Sequence, residues 1–387
     1  MRWASALETQ ADTEEAVREA ARRVEEAMDG DQVDLVVVFV SEHHADSIAA
    51  VPALLSQRFP GARILGCSAS AVSAGPKEVE SGPAISLAAA HLPGVEVRTF
   101  HAEPGQAGLS AADWVELVGV DPLTQPSLLL IPEPFHTATA PLLAELDAAY
   151  PHSTKLGGVA SGGQEPGSVA LIADGFVHRR GVVGVSLVGD VAIDTVVAQG
   201  ARPVGPSFAV TGAQGNRISS LDGTPVLQVL QAVYATRNAA DQELFQRQPM
   251  VGIAPSEGSD WGDYLVRAVV GVQRQEGTLA IASDVAIGQH IRFHLRDAQA
   301  ARDELRQLLR RAQEPGGYSG ALLFSCLGRG SAFFGQADHD ARALQAVLGP
   351  VSSVGFSANG EIGPIKGRTY LHGYTASIGL FRNSGWN

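Results

Sequence analysis

The chain has 387 residues, 45% of them hydrophobic and 18% charged, with a formal net charge of −13. That length requires more than one core, the composition is globular rather than disordered, and the charge repels nucleic acid. Two cysteines, Cys67 and Cys326, make no disulfide framework, and no apolar run reaches the ~18 residues that span a bilayer. The expected setting is therefore the cytoplasm, with no membrane and no nucleic-acid partner.

The opening MRWASALETQ has no apolar core with a cleavage pattern behind it and predicts no signal peptide. Residues 13–28 predict an amphipathic helix rich in Glu and Arg, ended near Gly30. LVVVFV at 35–40 is a continuous apolar run of strand length, suited to burial on both faces. Residues 44–59 predict a helix with Ile48, Val51, Leu55 and Phe59 on one face and Pro52 as a flaw that bends or shortens it. ARILGCSAS then reads as a strand with a small-residue end, and PAISLAAAHL and VEVRTFHA as further strands. The pattern recurs: SLLLI is a strand, TATAPLLAELDAAYP a helix with a threonine cap and Pro141 in its first turn, and KLGGVASGG a strand with a small-residue end. GVVGVSLVG and VAIDTVVAQG read as strands.

Gly and Pro cluster in QGARPVGP, which places a change of domain between about residues 200 and 221 and divides the chain into 1–205 and 206–387. An Asp222-Gly223 turn leads into a helix at TPVLQVLQAVYATR, followed by strands at YLVRAVVGVQ, TLAIAS and HIRFHL. His290 and His294 share a strand face there but lie about 13 Å apart by strand rise, too far to share a metal. Arg302, Arg306, Arg310 and Arg311, mixed with Asp303 and Glu304, read as a solvated helix face. The third copy of the pattern is GALLFSCLGRG, then DHDARALQAVLGP as a helix stopped by Gly349-Pro350, then SVGFSANGEIGP. Asn359-Gly360 in that last stretch is a strong hairpin-turn signal.

The fold class read from this pattern is α/β: mixed β-sheets with crossover helices, built from related strand-helix-strand units in two domains. In such sheets ligands gather at the carboxyl ends of strands, where glycine lets backbone N–H groups approach and Ser or Asn adds donors and acceptors. The candidate ligand-binding residues are Cys67 and Ser68 from the first end, Gly158 and Ser161 from the second, and Ser357, Asn359 and Glu361 from the third. Small residues there equally serve tight packing of strands against helices. Arg329, set among glycines in SCLGRG, can offer its fork to an anionic group, or form a surface salt bridge. Cys326 is a speculative nucleophile beside it. No GxSxG elbow, Walker A loop, GxGxxG, CxxC or paired-carboxylate signature is present, so neither cofactor nor metal is expected.

In this order the motifs resemble the FIST family, a FIST N-terminal domain followed by a FIST C-terminal domain. The first half is similar through LVVVFVS, ILGCSAS and KLGGVASGG. The second is similar through GARPVGPSFAVTGAQGNRISSLDGTPVLQVL, GALLFSCLGRG, VGFSANGEIGP and LHGYTASIGL. The resemblance covers nearly the whole chain and implies a cytoplasmic sensory module for a small ligand, an amino acid or derivative. Family members often carry signalling outputs beside this domain pair, and some eukaryotic ones an F-box. With no segment left for such an output, the expectation is a stand-alone sensor of a small polar metabolite that acts through a signalling partner protein. In that reading Arg329 holds an anionic group, Ser357 and Asn359 supply hydrogen bonds, and Glu361 receives an amine. The alternatives are an enzyme using Cys326 as nucleophile and an interaction scaffold without a small ligand. The sequence leaves ligand identity and oligomeric state open.

Overall fold

In the computed structural model, which describes residues 1–103, 105, 108–255 and 264–385, the chain opens with β1 (Arg2–Glu8), α1 (Thr13–Met28) and β2 (Leu35–Ser41). The Asp12 carboxylate accepts the Glu15 N–H at 2.8 Å and starts α1, which buries Ala16, Val17, Ala20, Val24 and Met28 along one face. The helix expected over 44–59 is a 3-10 stretch, Glu42–Ala50, followed by α2 (Val51–Arg58). Pro52 lies in the first turn of α2, where its missing N–H breaks no bond, so it starts the helix instead of bending it. Then come β3 (Arg63–Ala69), β4 (Val72–Ala74), β5 (Lys77–Val79) and β6 (Ile85–His91).

The same order repeats as β7 (Val95–Ala102), α3 (Ala111–Val118), β8 (Ser127–Pro132), α4 (Thr139–Ala149), β9 (Lys155–Gly158), β10 (Leu171–Ala173), β11 (Phe176–His178) and β12 (Val182–Gly189). Thr137 does not cap α4; its hydroxyl donates to the Gly181 carbonyl at 3.0 Å and to Glu133. A third repeat begins with β13 (Ala192–Ala198) and is interrupted by an inserted unit.

That inserted unit comprises Ala198–Leu305 and His372–Tyr374, and the three repeats form the other. Its elements are β14 (Ala201–Gln214), β15 (Arg217–Leu221), β16 (Thr224–Pro225), α5 (Val226–Ala235), α6 (Ala239–Arg247), β17 (Pro249–Ile253), β18 (Leu265–Gln273), β19 (Thr278–Ile281) and β20 (His290–Arg296). The order β14-β20-β17-β18-β19-β15 closes on itself, because β15 pairs back onto β14. All these pairings are antiparallel, so the described strands of the unit form a small closed barrel, with the short β16 paired beside β15. The long strand β14 accommodates Pro206 at a bulge between Val204 and Ser207, where Gly205 has a φ of +74°.

The chain resumes the third repeat after α7 (Ala298–Arg311) with β21 (Gly320–Cys326), α8 (Ser331–Phe334), α9 (His339–Leu348), β22 (Ser352–Ala358), β23 (Glu361–Ile365), β24 (Arg368–His372) and β25 (Ala376–Arg382). Three six-stranded sheets result, in the orders β1-β6-β2-β3-β10-β11, β7-β12-β8-β9-β23-β24 and β13-β25-β21-β22-β4-β5. Each contains the parallel pair of one strand-helix-strand unit: β2 with β3, β8 with β9, β21 with β22. Each is completed by a hairpin from a different repeat. The second repeat lends β10 and β11 to the first sheet, the third lends β23 and β24 to the second, and the first lends β4 and β5 to the third. The exchange is cyclic, so the three sheets cannot part without breaking ladder hydrogen bonds.

This exchange changes what Asn359-Gly360 does. β22 lies in the third sheet and β23 in the second, so the pair carries the chain from one sheet to another and closes no hairpin. One face of all three sheets buries into a shared core, where Phe356 lies 4.8 Å from Phe39 and 5.5 Å from Phe324 between ring centroids. Helices α1 and α2 cover the outer face of the first sheet, and α3 and α4 that of the second.

Three glycines hold equivalent places in the parallel pairs: Gly66 opposite Val38, Gly157 opposite Leu130, and Gly355 opposite Leu323. A Cβ at each would sit 2.0, 1.9 and 2.1 Å from the carbonyl oxygen of that partner. Backbone cannot yield as a side chain can. Gly66→Ala is therefore expected to lower stability by about 3 kcal/mol, read as a shift of the urea midpoint; a loss below about 1 kcal/mol would show that the sheet relaxes.

Candidate functional site

The second strands of the three repeats bring their ends together, and those ends bond to one another. The Ser70 hydroxyl donates to the Ser161 carbonyl at 2.6 Å, and the Ser70 N–H donates to Ser161 Oγ at 3.0 Å. The Ser161 hydroxyl in turn donates to the Ser357 carbonyl. Asn359 Nδ2 donates to the Ala160 carbonyl and the Asn359 N–H to the Val159 carbonyl, both at 3.0 Å. The Ser357 N–H reaches the Ala71 carbonyl at 3.0 Å. Ser68 faces the other way, with its N–H on the Ala170 carbonyl and its Oγ accepting the Ala170 N–H. Cys67 is buried, and burial pushes its thiol well above the usual range, which keeps it un-ionised and inert. A Cβ on Gly158 would lie 2.9 Å from that of Ala358, so this glycine serves close packing. Ser161, Ser357 and Asn359 thus meet at one place, with Ser70 as a fourth member the sequence reading missed. Asn359 is the exposed one of the four.

Behind the third strand end lies a buried charged cluster. Arg329, 1% exposed, grips Asp340 with two parallel bonds, Nε to Oδ2 at 2.8 Å and Nη2 to Oδ1 at 2.9 Å. Asp340 also accepts the Ser325 hydroxyl at 2.6 Å and bonds His339 Nδ1 at 2.7 Å. Burial drives the Asp340 carboxyl up, but the Arg329 charge and the His339 and Arg329 hydrogen bonds outweigh it and hold it well below the ordinary range. Phe334 stacks on the His339 ring at 3.5 Å and faces the Arg329 guanidinium at 5.2 Å. The lent hairpin reaches this cluster from the side. Glu78 accepts the Ala341 N–H at 2.7 Å near the start of α9, and Glu80 accepts both N–H and hydroxyl of Ser331 at the start of α8. Burial, and then the Asp340 charge, push the Glu78 carboxyl up to about 7.

Glu361 is fully buried at the start of β23. Its Oε2 accepts the Thr375 N–H at 3.0 Å, and the half-buried Cys326 thiol donates into the same carboxyl. Its Oε1 has no hydrogen-bond partner among the described residues. Burial pushes the carboxyl up to about 8, against the opposing pull of the Thr375 and Cys326 bonds and the Arg329 charge. Burial thus favours the neutral acid, which has a proton to donate, over the ionised form.

The repeats supply an internal control. In register, Gly158 faces Glu361 where the second sheet receives its hairpin. The equivalent pairs in the other two sheets are Cys67 with Leu171 and Phe356 with Val72. Where a leucine and a valine complete the junction twice, a carboxyl with a bare oxygen completes it the third time. Folding does not require an acid there. Cys326 has an equally divergent place: its counterparts are Ser41, whose Oγ accepts the Ala84 N–H at 2.9 Å, and Glu133, which accepts the Phe135 N–H at 2.8 Å.

Family models match the chain in two segments, the FIST N domain over residues 34–224 and the FIST C domain over residues 227–364. The chain belongs to the FIST family. Cys67, Ser68, Gly158 and Ser161 fall in the FIST N segment, and Arg329, Ser357, Asn359 and Glu361 in the FIST C segment. The junction of the two segments falls within the inserted barrel, so both supply strands to it. An uncharacterized protein of Mycobacterium tuberculosis is 36% identical, over 98% of this chain and 100% of its own length. One of Mycobacterium bovis is 35% identical, over 96% and 97%. Among solved structures, two cyanuric acid hydrolases align over 99% of this chain, at 9% identity with a TM-score of 0.35 and, for the one from A. caulinodans, at 11% with 0.30. That likeness is too distant to bring a reaction to this chain. Among the described residues no helix is long and apolar enough to cross a membrane, and no group of three His, Cys, Asp or Glu side chains could hold a metal ion.

Asp340, His339, Ser325 and Thr375 escaped the sequence reading. The only local signal was the run Asp338-His339-Asp340 at the start of a helix, which by itself says no more than favourable charge at a helix N-terminus.

Proposed function

We propose that this chain is a cytoplasmic sensory protein that binds a small polar metabolite, an amino acid or a derivative, beside Glu361 and Cys326, and passes the event to a partner protein. One observation carries the reading: Glu361 is buried with an unmatched oxygen at a junction that Val72 and Leu171 complete elsewhere with apolar side chains. A bare buried polar atom costs about 1–3 kcal/mol, and a ligand that bonds it recovers that amount. The position agrees with the general preference of ligands for the carboxyl ends of strands, since β21 ends at Cys326. Membership of the FIST family supports the sensory role. In this reading Arg329 acts through Asp340 and through its charge, and Ser357 and Asn359 form the rim.

The test is thermal unfolding against a library of amino acids, N-acylated amino acids and small phosphorylated metabolites. A ligand at 100 times its Kd adds about 2.7 kcal/mol, a shift of a few degrees for a chain of this size. The expected result is a selective shift that vanishes in Glu361→Leu. A library without any stabilising member sinks the proposal.

A further inference from the structure

Building on that ligand-binding reading, we infer that the ligand offers a hydrogen-bond acceptor, a carbonyl or carboxylate oxygen, to Glu361 Oε1, and that Glu361 meets it as a donor and not as the counter-charge of an ammonium group. The carboxyl is already supplied with donors on its other side: the Thr375 N–H bonds Oε2 at 3.0 Å, and the Cys326 thiol donates to the same group. What it lacks is an acceptor for a proton on Oε1, an atom with no partner among the described residues. Of the charged groups, Arg329 draws this carboxyl toward ionisation, less strongly than burial opposes it, and the guanidinium is itself bonded twice to Asp340. With burial dominating, the acid form prevails around neutrality, in line with its folded value of about 8. An ammonium ligand would first have to ionise this fully buried carboxyl.

The two possibilities differ in proton balance. An acceptor ligand leaves the proton on Glu361, so its affinity is flat below about pH 8 and falls roughly tenfold per pH unit above. An ammonium ligand expels that proton and binds more tightly as pH rises toward 8. Glu361→Gln separates them further. Its amide oxygen keeps the Thr375 bond and its NH2 stands where Oε1 was, so it still donates but cannot ionise.

The experiment titrates the full chain with N-acetylglycine, which has acceptor oxygens and no ammonium, and with ethylamine, which has no carbonyl or carboxylate and stays an ammonium up to about pH 9. Calorimetry is run at pH 6.5 to 9, alongside a carbon-13 NMR titration of the Glu361 carboxyl in the free protein. The expected result is a protonated Glu361 at pH 7 and N-acetylglycine binding within about threefold of wild type in Glu361→Gln, but weakened at least tenfold in Glu361→Leu. An ionised Glu361 at pH 7, or a preference for ethylamine that Glu361→Gln abolishes, overturns this inference while leaving the ligand site standing. A protonated Glu361 with neither probe nor any library member bound overturns the ligand-binding reading, and this inference with it.

Discussion

Arg329→Ala is expected to destabilise the repeat unit by about 3–5 kcal/mol, because it strands the Asp340 charge in the interior. Asp340 is 1% exposed and Arg329 supplies two of its bonds. Ser325 and His339 remain as donors to it, but neither brings the fixed positive charge that holds this carboxyl down. Asp340→Ala should also destabilise, by removing both bonds of the buried guanidinium to that carboxylate. The double variant should lose clearly less than the sum of the two, since it removes both buried charges together. Arg329→Lys keeps the charge and loses the planar fork, so it should fall between. In Arg329→Ala the unpaired Asp340 titrates at higher pH, so the deficit should shrink as the solution is acidified. Denaturant midpoints of wild type and the four variants at pH 5 and pH 8 check this. A loss under about 1 kcal/mol for Arg329→Ala, or strict additivity, would show that the pair contributes nothing specific.

The partnership also explains why the sequence reading aimed Arg329 outward. A fork among glycines matches an anionic ligand as well as an internal carboxylate, and the carboxylate lies across a turn and a short helix, with no fixed spacing to mark it. The strand-helix-strand units themselves were legible, because LVVVFV, SLLLI and GALLFS are apolar runs bounded by helical periods and small-residue ends. Whether their small-residue ends meet is not legible in the sequence. The structure brings these ends together, with Ser70 and Ser357 bonded to Ser161 and Asn359 bonded to the Ala160 carbonyl. The hairpin exchange was not legible at all. Asn359-Gly360 obeys the local chemistry of a turn, but which sheet the next strand joins is decided by pairing with Gly157 and Gly158, some two hundred residues earlier. The same long-range register makes Val72 and Leu171 the counterparts of Glu361, so no local pattern could have singled this acid out.

That internal comparison leads to the second large effect, on the pH dependence of stability. Glu361 has a folded value of about 8 against an ordinary 4.5, so between those limits the folded chain holds a proton that the unfolded chain releases. Stability from this group is fully present below about pH 4.5 and is lost as pH rises through 8. The full gap corresponds to a ceiling of about 5 kcal/mol, and relaxation of the site makes roughly 2–4 kcal/mol the reasonable expectation. Glu78, with a folded value of about 7, acts in the same direction over a lower and narrower window. Wild-type stability should therefore decline from pH 5 to pH 9. Glu361→Gln should remove its share of the slope between about pH 4.5 and 8, which above about pH 7 is the part Glu78 does not contribute, and be the more stable protein at pH 9, since it keeps a donor and acceptor of the same shape and cannot ionise. Glu78→Gln should flatten the slope below that. Urea unfolding of the three proteins across this range separates the contributions. A wild-type profile parallel to that of Glu361→Gln would mean that the carboxyl finds its charge compensated in the folded chain, and that the difference between this junction and the two closed by Val72 and Leu171 is one of shape alone.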